Sequence, residues 1–275
     1  TITINPGAAN TVVFSAQPVN TVAGATMANV VVNVKDTYGN NISGQATSVT
    51  TTNGTLLSGT LSQNTNASGD ATFNNLSMTL AGTYALTGTA GTVNTASANF
   101  NITAAAPSAV TFSTQPANTV AGATMANVVV NVKDTYSNNI SGQAVSVTTT
   151  NGTLLSGTLS QNTSASGDAT FNDLSMTLAG TYALTATAGT VNTASANFNI
   201  TAAAPSAVTF STQPANTVAG ATMANVVVNV KDAYSNNISG QAVAVTTTNG
   251  TLLSGTLSQN TSASGDATFN NLSMT

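Results

Sequence analysis

The sequence predicts an all-β chain of sandwiches joined in tandem, and three observations carry that expectation. Valine, leucine, phenylalanine and isoleucine alternate with polar residues, which is strand periodicity. Turn signals return every eight to twelve residues. The whole pattern repeats: Gln17-Pro18 comes back as Gln115-Pro116 and Gln213-Pro214, a period of 98 residues (115 − 17 and 213 − 115) that matches one sandwich domain. Ser108 to Thr177 and Ser206 to Thr275 differ only at Thr135/Ala233, Ser146/Ala244 and Asp173/Asn271. Near-copies imply one role performed many times.

The second copy shows the elements most plainly. Val110-Thr111-Phe112 opens it, and Gln115-Pro116 interrupts it; proline donates no ladder bond, so an edge strand that switches sheets is expected. Val128, Val130 and Val132 point one way, and Val129, Asn131 and Lys133 the other, towards solvent. Asp134-Thr135-Tyr136-Ser137-Asn138 is turn chemistry. Val145 and Val147 carry the third strand inward, and Asn151-Gly152 is the strongest hairpin signal of the repeat. Leu155, Gly157 and Leu159 are expected on one face. Ala169 and Phe171 share one parity whereas Leu174, Met176 and Leu178 share the other, which predicts a bulge near Asn172-Asp173. Tyr182, with Tyr84 in the first copy, stands at the start of the sixth strand, the place of a tyrosine corner in an immunoglobulin-like sandwich. Ala196, Phe198 and Ile200 close the domain.

The predicted architecture is therefore a series of immunoglobulin-like Greek-key sandwiches of about seven strands each, arranged as beads in an extended rod. Residues 1–9 read as the final strand of a preceding repeat plus a linker, 10–103 as repeat 1, 104–201 as a linker and repeat 2, and 202–275 as a linker and repeat 3 without its last two strands. The expectation is a window cut from a longer array; the alternative is that neighbouring subunits complete the open domain by strand donation.

Composition narrows the chemistry. Only 4% of residues are charged, the cations are Lys35, Lys133 and Lys231, and the net charge is −4. Phosphate neutralisation is out of reach, which excludes nucleic acid as a partner. No apolar run reaches 18 residues, so no membrane insertion is expected in this segment. Without histidine or cysteine, and with two or three aspartates per repeat, we expect no catalytic residues, no metal and no cofactor: the chain is not an enzyme. Asp134 reads as a turn former, not a ligand, because calcium wants several carboxylates. A lysine–asparagine isopeptide crosslink needs the lysine buried beside an acid, and alternation points all three outward. The threonine-rich run Thr50 to Thr55 reads as a solvated β surface. The contact residues expected at the loop tips are Tyr38, Asn40, Tyr136, Asn138, Tyr234 and Asn236.

The run Val-Val-Val-Asn-Val-Lys-Asp-Thr-Tyr-Gly-Asn-Asn-Ile-Ser-Gly-Gln from Val30, followed by Gly-Thr-Leu, Ala-Ser-Gly-Asp-Ala-Thr-Phe and Leu-Ala-Gly-Thr-Tyr, resembles the bacterial immunoglobulin-like (Big, invasin/intimin-type) repeats of surface adhesins. That resemblance implies an extracellular, cell-surface location and a structural role as a fibre, stalk or filament, with self-association between neighbouring repeats or other copies of the chain. The alternative is a repetitive adhesin that binds a host receptor or surface glycan through exposed loops. Acidic residues that bind calcium at domain junctions in some such repeats have no counterpart in Thr201 to Ala207.

Overall fold

The computed structural model describes residues 3–275, and all their regular structure is strand and turn. Repeat 1 contains β1 (Thr11–Ala16), β2 (Thr21–Val22), β3 (Val30–Lys35), β4 (Ala46–Thr51), β5 (Ser62–Asn64), β6 (Asp70–Phe73), β7 (Gly82–Tyr84), β8 (Leu86–Ala90), β9 (Val93–Ala96) and β10 (Phe100–Thr103). The same ten segments recur 98 residues on, from Ala109–Thr114 to Phe198–Thr201. One layer has the order β1-β3-β6; the other is formed by β2-β10-β7 and β5-β4-β8-β9. Pairing is antiparallel except that β2 runs parallel to β10.

Ten segments arise from seven expected strands because three of them break in two. The first breaks at Gln17-Pro18, as proline requires, and changes layer: β1 pairs with β3, and β2 with β10. The orphaned donors across that gap are taken by side chains, with Ala98 N donating to Gln17 Oε1 (2.9 Å) and Asn101 N to Asn20 Oδ1 (2.8 Å). The sixth strand breaks at Ala85, where it passes from β10 to β4 as partner. The last breaks at Ser97, whose hydroxyl accepts Leu86 N at 2.9 Å.

Between the layers lies the core. Val30, Val32, Val34, Phe73 and Leu86 are fully enclosed, and Val128, Val130, Val132, Phe171 and Leu184 repeat them. Each such side chain contributes about 1.5–3 kcal/mol over an exposed one. Tyr84 packs on Phe100 with ring centres 6.2 Å apart, and its hydroxyl donates to Leu80 O at 3.0 Å; Tyr182 does the same to Leu178 O. That is the hydrogen bond of a tyrosine corner. The alternation of the valine strand holds throughout.

Four local expectations change. The parity shift after Phe171 is not a bulge: the strand ends there, and the Asp173 carboxylate takes Thr158 N (2.9 Å) and Thr158 Oγ1 (2.6 Å), leading the chain out of the sheet. Asn75 takes Thr60 N in the same way in repeat 1. Leu155 to Leu159 form no strand, and Leu159 faces out while Leu155 is buried. Only Ser156 pairs there, exchanging two backbone hydrogen bonds of 3.0 Å with Ser175, and the next residue, Gly157, is left-handed at φ 112°, which ends the ladder after one bridge. Leu178 is exposed, having left the core with the corner loop. Finally, Thr3 to Asn5 form no strand, and Thr1 and Ile2 lie outside the described residues.

Repeat 3 is described as far as Thr275, and its first strand, Pro205–Thr212, is exposed along its length. Phe210 and Val245 line an apolar cleft of about 320 Å³ with Met223, Leu253 and Leu272.

Candidate functional site: the junction between repeats

The turn after β3 builds the most densely bonded polar site. In repeat 2 the Asp134 carboxylate is almost fully buried and accepts four hydrogen bonds. Oδ1 takes Tyr136 N (2.8 Å) and Asn138 N (2.9 Å), and Oδ2 takes Asn138 Nδ2 (2.8 Å) and Ala105 N of the linker (2.9 Å). The first two bonds close the turn, which Ser137 completes in the left-handed region at φ 67°. The last ties the incoming linker to the turn. Asp232 repeats every one of these contacts, with Ala203 N as the linker donor.

Burial alone would raise the Asp134 and Asp232 carboxyls. The Asn138 or Asn236 amide and the backbone donors outweigh it and hold both below the usual carboxylate range. In repeat 1 the Asn40 side chain, aided by Gly7, Asn40 and Tyr38 N–H groups, lowers Asp36 to about 2. With both oxygens engaged by N–H donors, these carboxylates offer a cation no free face. Among the described residues no three His, Cys, Asp or Glu side chains come together.

The turn does not end at its own repeat. Asn138 Nδ2 also donates to Thr79 O (2.7 Å), and Asn138 Oδ1 accepts Ala81 N (2.8 Å), both in the corner loop of repeat 1. Asn236 makes the same pair with Thr177 O and Ala179 N, each at 2.8 Å. The neighbouring tyrosine rings lie on a glycine of the preceding repeat. A β-carbon on Gly24 would overlap the Tyr136 hydroxyl, and one on Gly122 would overlap that of Tyr234. We call the turn the knuckle and the Gly24/Thr79/Ala81 surface the ledge.

The structure thus draws four of the six expected contact residues, Tyr136, Asn138, Tyr234 and Asn236, into junctions. Tyr38 and Asn40, the first-copy equivalents, stand exposed. Three participants escaped the sequence reading: the linker amide, the ledge glycine and the aspartate's burial. Thr51, Thr149 and Thr247 also differ from the solvated surface expected of them. Thr51 and Thr149 are buried, and all three hydroxyls cap their own hairpin turns on Thr55 O, Thr153 O and Thr251 O.

The lysines lie on the outer face, as alternation places them, but half-buried, not free in solvent. Lys133 lines a polar shelf with Asn131, Asn139 and Asp168. Asn131 Nδ2 holds Asp168 Oδ1 at 2.8 Å.

Among solved structures, FdeC, an adhesin of Escherichia coli, is similar to this chain along nearly its whole length. The TM-score is 0.56 at 20% identity, over 98% of this chain and 91% of that one. Yersinia pseudotuberculosis InvD is similar at a TM-score of 0.47 and 19% identity, over 94% of this chain and 82% of that one. No protein-family model and no curated protein matches the chain. The likeness to FdeC shows the fold: tandem immunoglobulin-like sandwiches of the kind found in bacterial surface adhesins.

Proposed function

We propose that the chain is a structural, extracellular module of a bacterial cell-surface protein, its repeats forming an extended stalk, fibre or filament. The observation that carries this reading is the junction. Two successive knuckles seat on two successive ledges with the same partners and distances within 0.1 Å. A hinge between independent domains has no need of such matched bonds; a length-setting array does. Each repeat would add on the order of 40 Å if its strands span about ten residues at roughly 3.3 Å each. The fold shared with adhesin repeats and the near-absence of charge support a surface location.

Small-angle scattering of the whole chain tests the proposal. A maximum dimension that grows with repeat number supports it, and a compact globule rejects it. A second reading, a repeated adhesive module for a host receptor or glycan, has one observation in its favour: Leu56, Leu154 and Leu252 stand exposed beside the Asn-Gly turn in every copy. Capture of host cells by the bead-bound chain, lost when all three become serine, would support that reading; no capture would reject it.

A further inference from the structure

The Asn-Gly pairs Asn53-Gly54, Asn151-Gly152 and Asn249-Gly250 stand at the same hairpin tip of each repeat, and both residues of every pair are exposed. Every other asparagine is followed by a residue that carries a β-carbon. Each tip asparagine folds its side chain back over the peptide that follows it. Asn53 Oδ1 accepts Thr55 N at 3.2 Å, Asn151 Oδ1 accepts Thr153 N at 3.1 Å and Asn249 Oδ1 accepts Thr251 N at 3.2 Å. The ring closed by that bond contains the glycine nitrogen, which holds Cγ and that nitrogen on the same side of the turn. The glycine N–H is weakly engaged: Gly54 reaches Thr51 O at 3.4 Å and Gly152 reaches Thr149 O at 3.3 Å, past the usual limit of about 3.2 Å. Nothing lies within 4 Å of the place a β-carbon would take on any of the three glycines, so water reaches the peptide freely.

We propose that these three tips are self-modifying sites, at which the asparagine amide becomes a carboxylate with water as the only co-reactant. A solvent base takes the glycine N–H proton and the nitrogen attacks Cγ. The new C–N bond closes a five-membered imide, and the side-chain nitrogen leaves as NH3. Water then opens the imide at either carbonyl, giving aspartate or its β-linked isomer. The sum is H2O in and NH3 out, with no change of oxidation state. Glycine suits the step because it places no β-carbon beside the attacking nitrogen and lets the backbone approach closely. Asn66 supplies the contrast: it is exposed, and its Oδ1 accepts Ser68 N at 2.8 Å in the same kind of turn, but Ala67 follows it. The product matters in this chain because no residue between Asp134 and Asp168, or between the equivalent aspartates of the other repeats, is charged. Conversion of all three tips takes the net charge from −4 to −4 − 3 = −7. Each new charge stands three residues from an exposed leucine, Leu56, Leu154 or Leu252. The chain thus gains charge with age at a fixed interval, whether its repeats serve as a spacer or as an adhesive surface.

The test keeps the whole folded chain in neutral buffer and follows it over days by peptide mass spectrometry, reading the mass gain of NH2 replaced by OH. Labelling with isoaspartyl methyltransferase detects the β-linked product. The three tips are told apart by the residues before them, Thr47-Ser48, Val145-Ser146 and Val243-Ala244. Asn53, Asn151 and Asn249 should convert together while Asn66 stays intact. In Gly152→Asn, asparagine being chosen because it tolerates the left-handed backbone of that glycine at φ 75°, Asn151 should slow to the level of Asn66. Asn53 and Asn249 should go on converting in the same molecule. A guanidinium-unfolded sample gives the comparison: tips that convert only there, and not in the folded chain, overturn the proposal. Conversion of Asn66 as fast as the tips overturns it too, as does an unchanged rate at Asn151 in Gly152→Asn.

Discussion

Asp134 holds a full charge with little water around it, stabilised by four N–H groups. Asp134→Asn halves its acceptor capacity and leaves at least one buried donor unpaired, so repeat 2 should lose on the order of 2 kcal/mol in chemical denaturation. The same carboxylates set a pH response. Their folded pKa lies below the ordinary unfolded value near 3.8, so the stability they confer is present at neutral pH. It is lost as pH falls through the folded value, which for Asp36 means from about 4 down to about 2. Thermal unfolding followed by circular dichroism should show the midpoint falling across that window, and less steeply in Asp134→Asn. A second residue pair differs between copies. Repeat 1 has Gly88 where repeat 2 has Ala186; a methyl at Gly88 would sit 3.2 Å from Val32 and 3.3 Å from Phe14. Phe14 is buried whereas Phe112, its counterpart in repeat 2, is only partly so. Gly88→Ala should therefore move Phe14 outward. Its gain in strand backbone entropy offsets the lost burial to within about 1 kcal/mol.

At the scale of elements, the valine strand, the proline break and the repeat period were legible because each follows from local rules: alternation, a missing donor, self-similarity. The knuckle was only half legible. Aspartate and asparagine in a turn serve their own backbone and a neighbouring surface with the same residue types, and the partners lie 57 and 59 residues away. Nearly identical copies removed the one clue a repeat offers, since every position looks equally retained. The breaks at Ala85 and Ser97 left no trace either, because alanine and serine fit a continuous strand as well as a broken one. Ser137 and Ser235 are the exception that a sequence comparison does show. They occupy left-handed backbone at φ 67° and 68°, where repeat 1 has Gly39 at 82°. Ser137→Gly should relieve strain of roughly 1 kcal/mol, partly offset by the freer unfolded chain. Differential scanning calorimetry should find repeat 2 equal to or slightly more stable than before.

For the molecule as a whole, resistance to proteolysis follows from where its few cations sit. Each lysine is half-buried at a strand end and is followed at once by a buried aspartate, so the three Lys–Asp bonds are held in structure. Trypsin should cleave the native chain only as fast as its repeats open, with fragments appearing in step with unfolding in a urea series. The junction has a different kind of consequence. Knuckle and ledge are unlike surfaces at opposite poles of one repeat, so the contact is heterologous and never pairs a surface with itself. Every repeat is thus an arrow, and an array of them has a direction. Two arrays lying side by side can run the same way or opposite ways, and those two arrangements set different side chains against each other. A bundle of such chains must choose one of them. If it chooses the first, its two ends differ chemically even though it is built from a single motif.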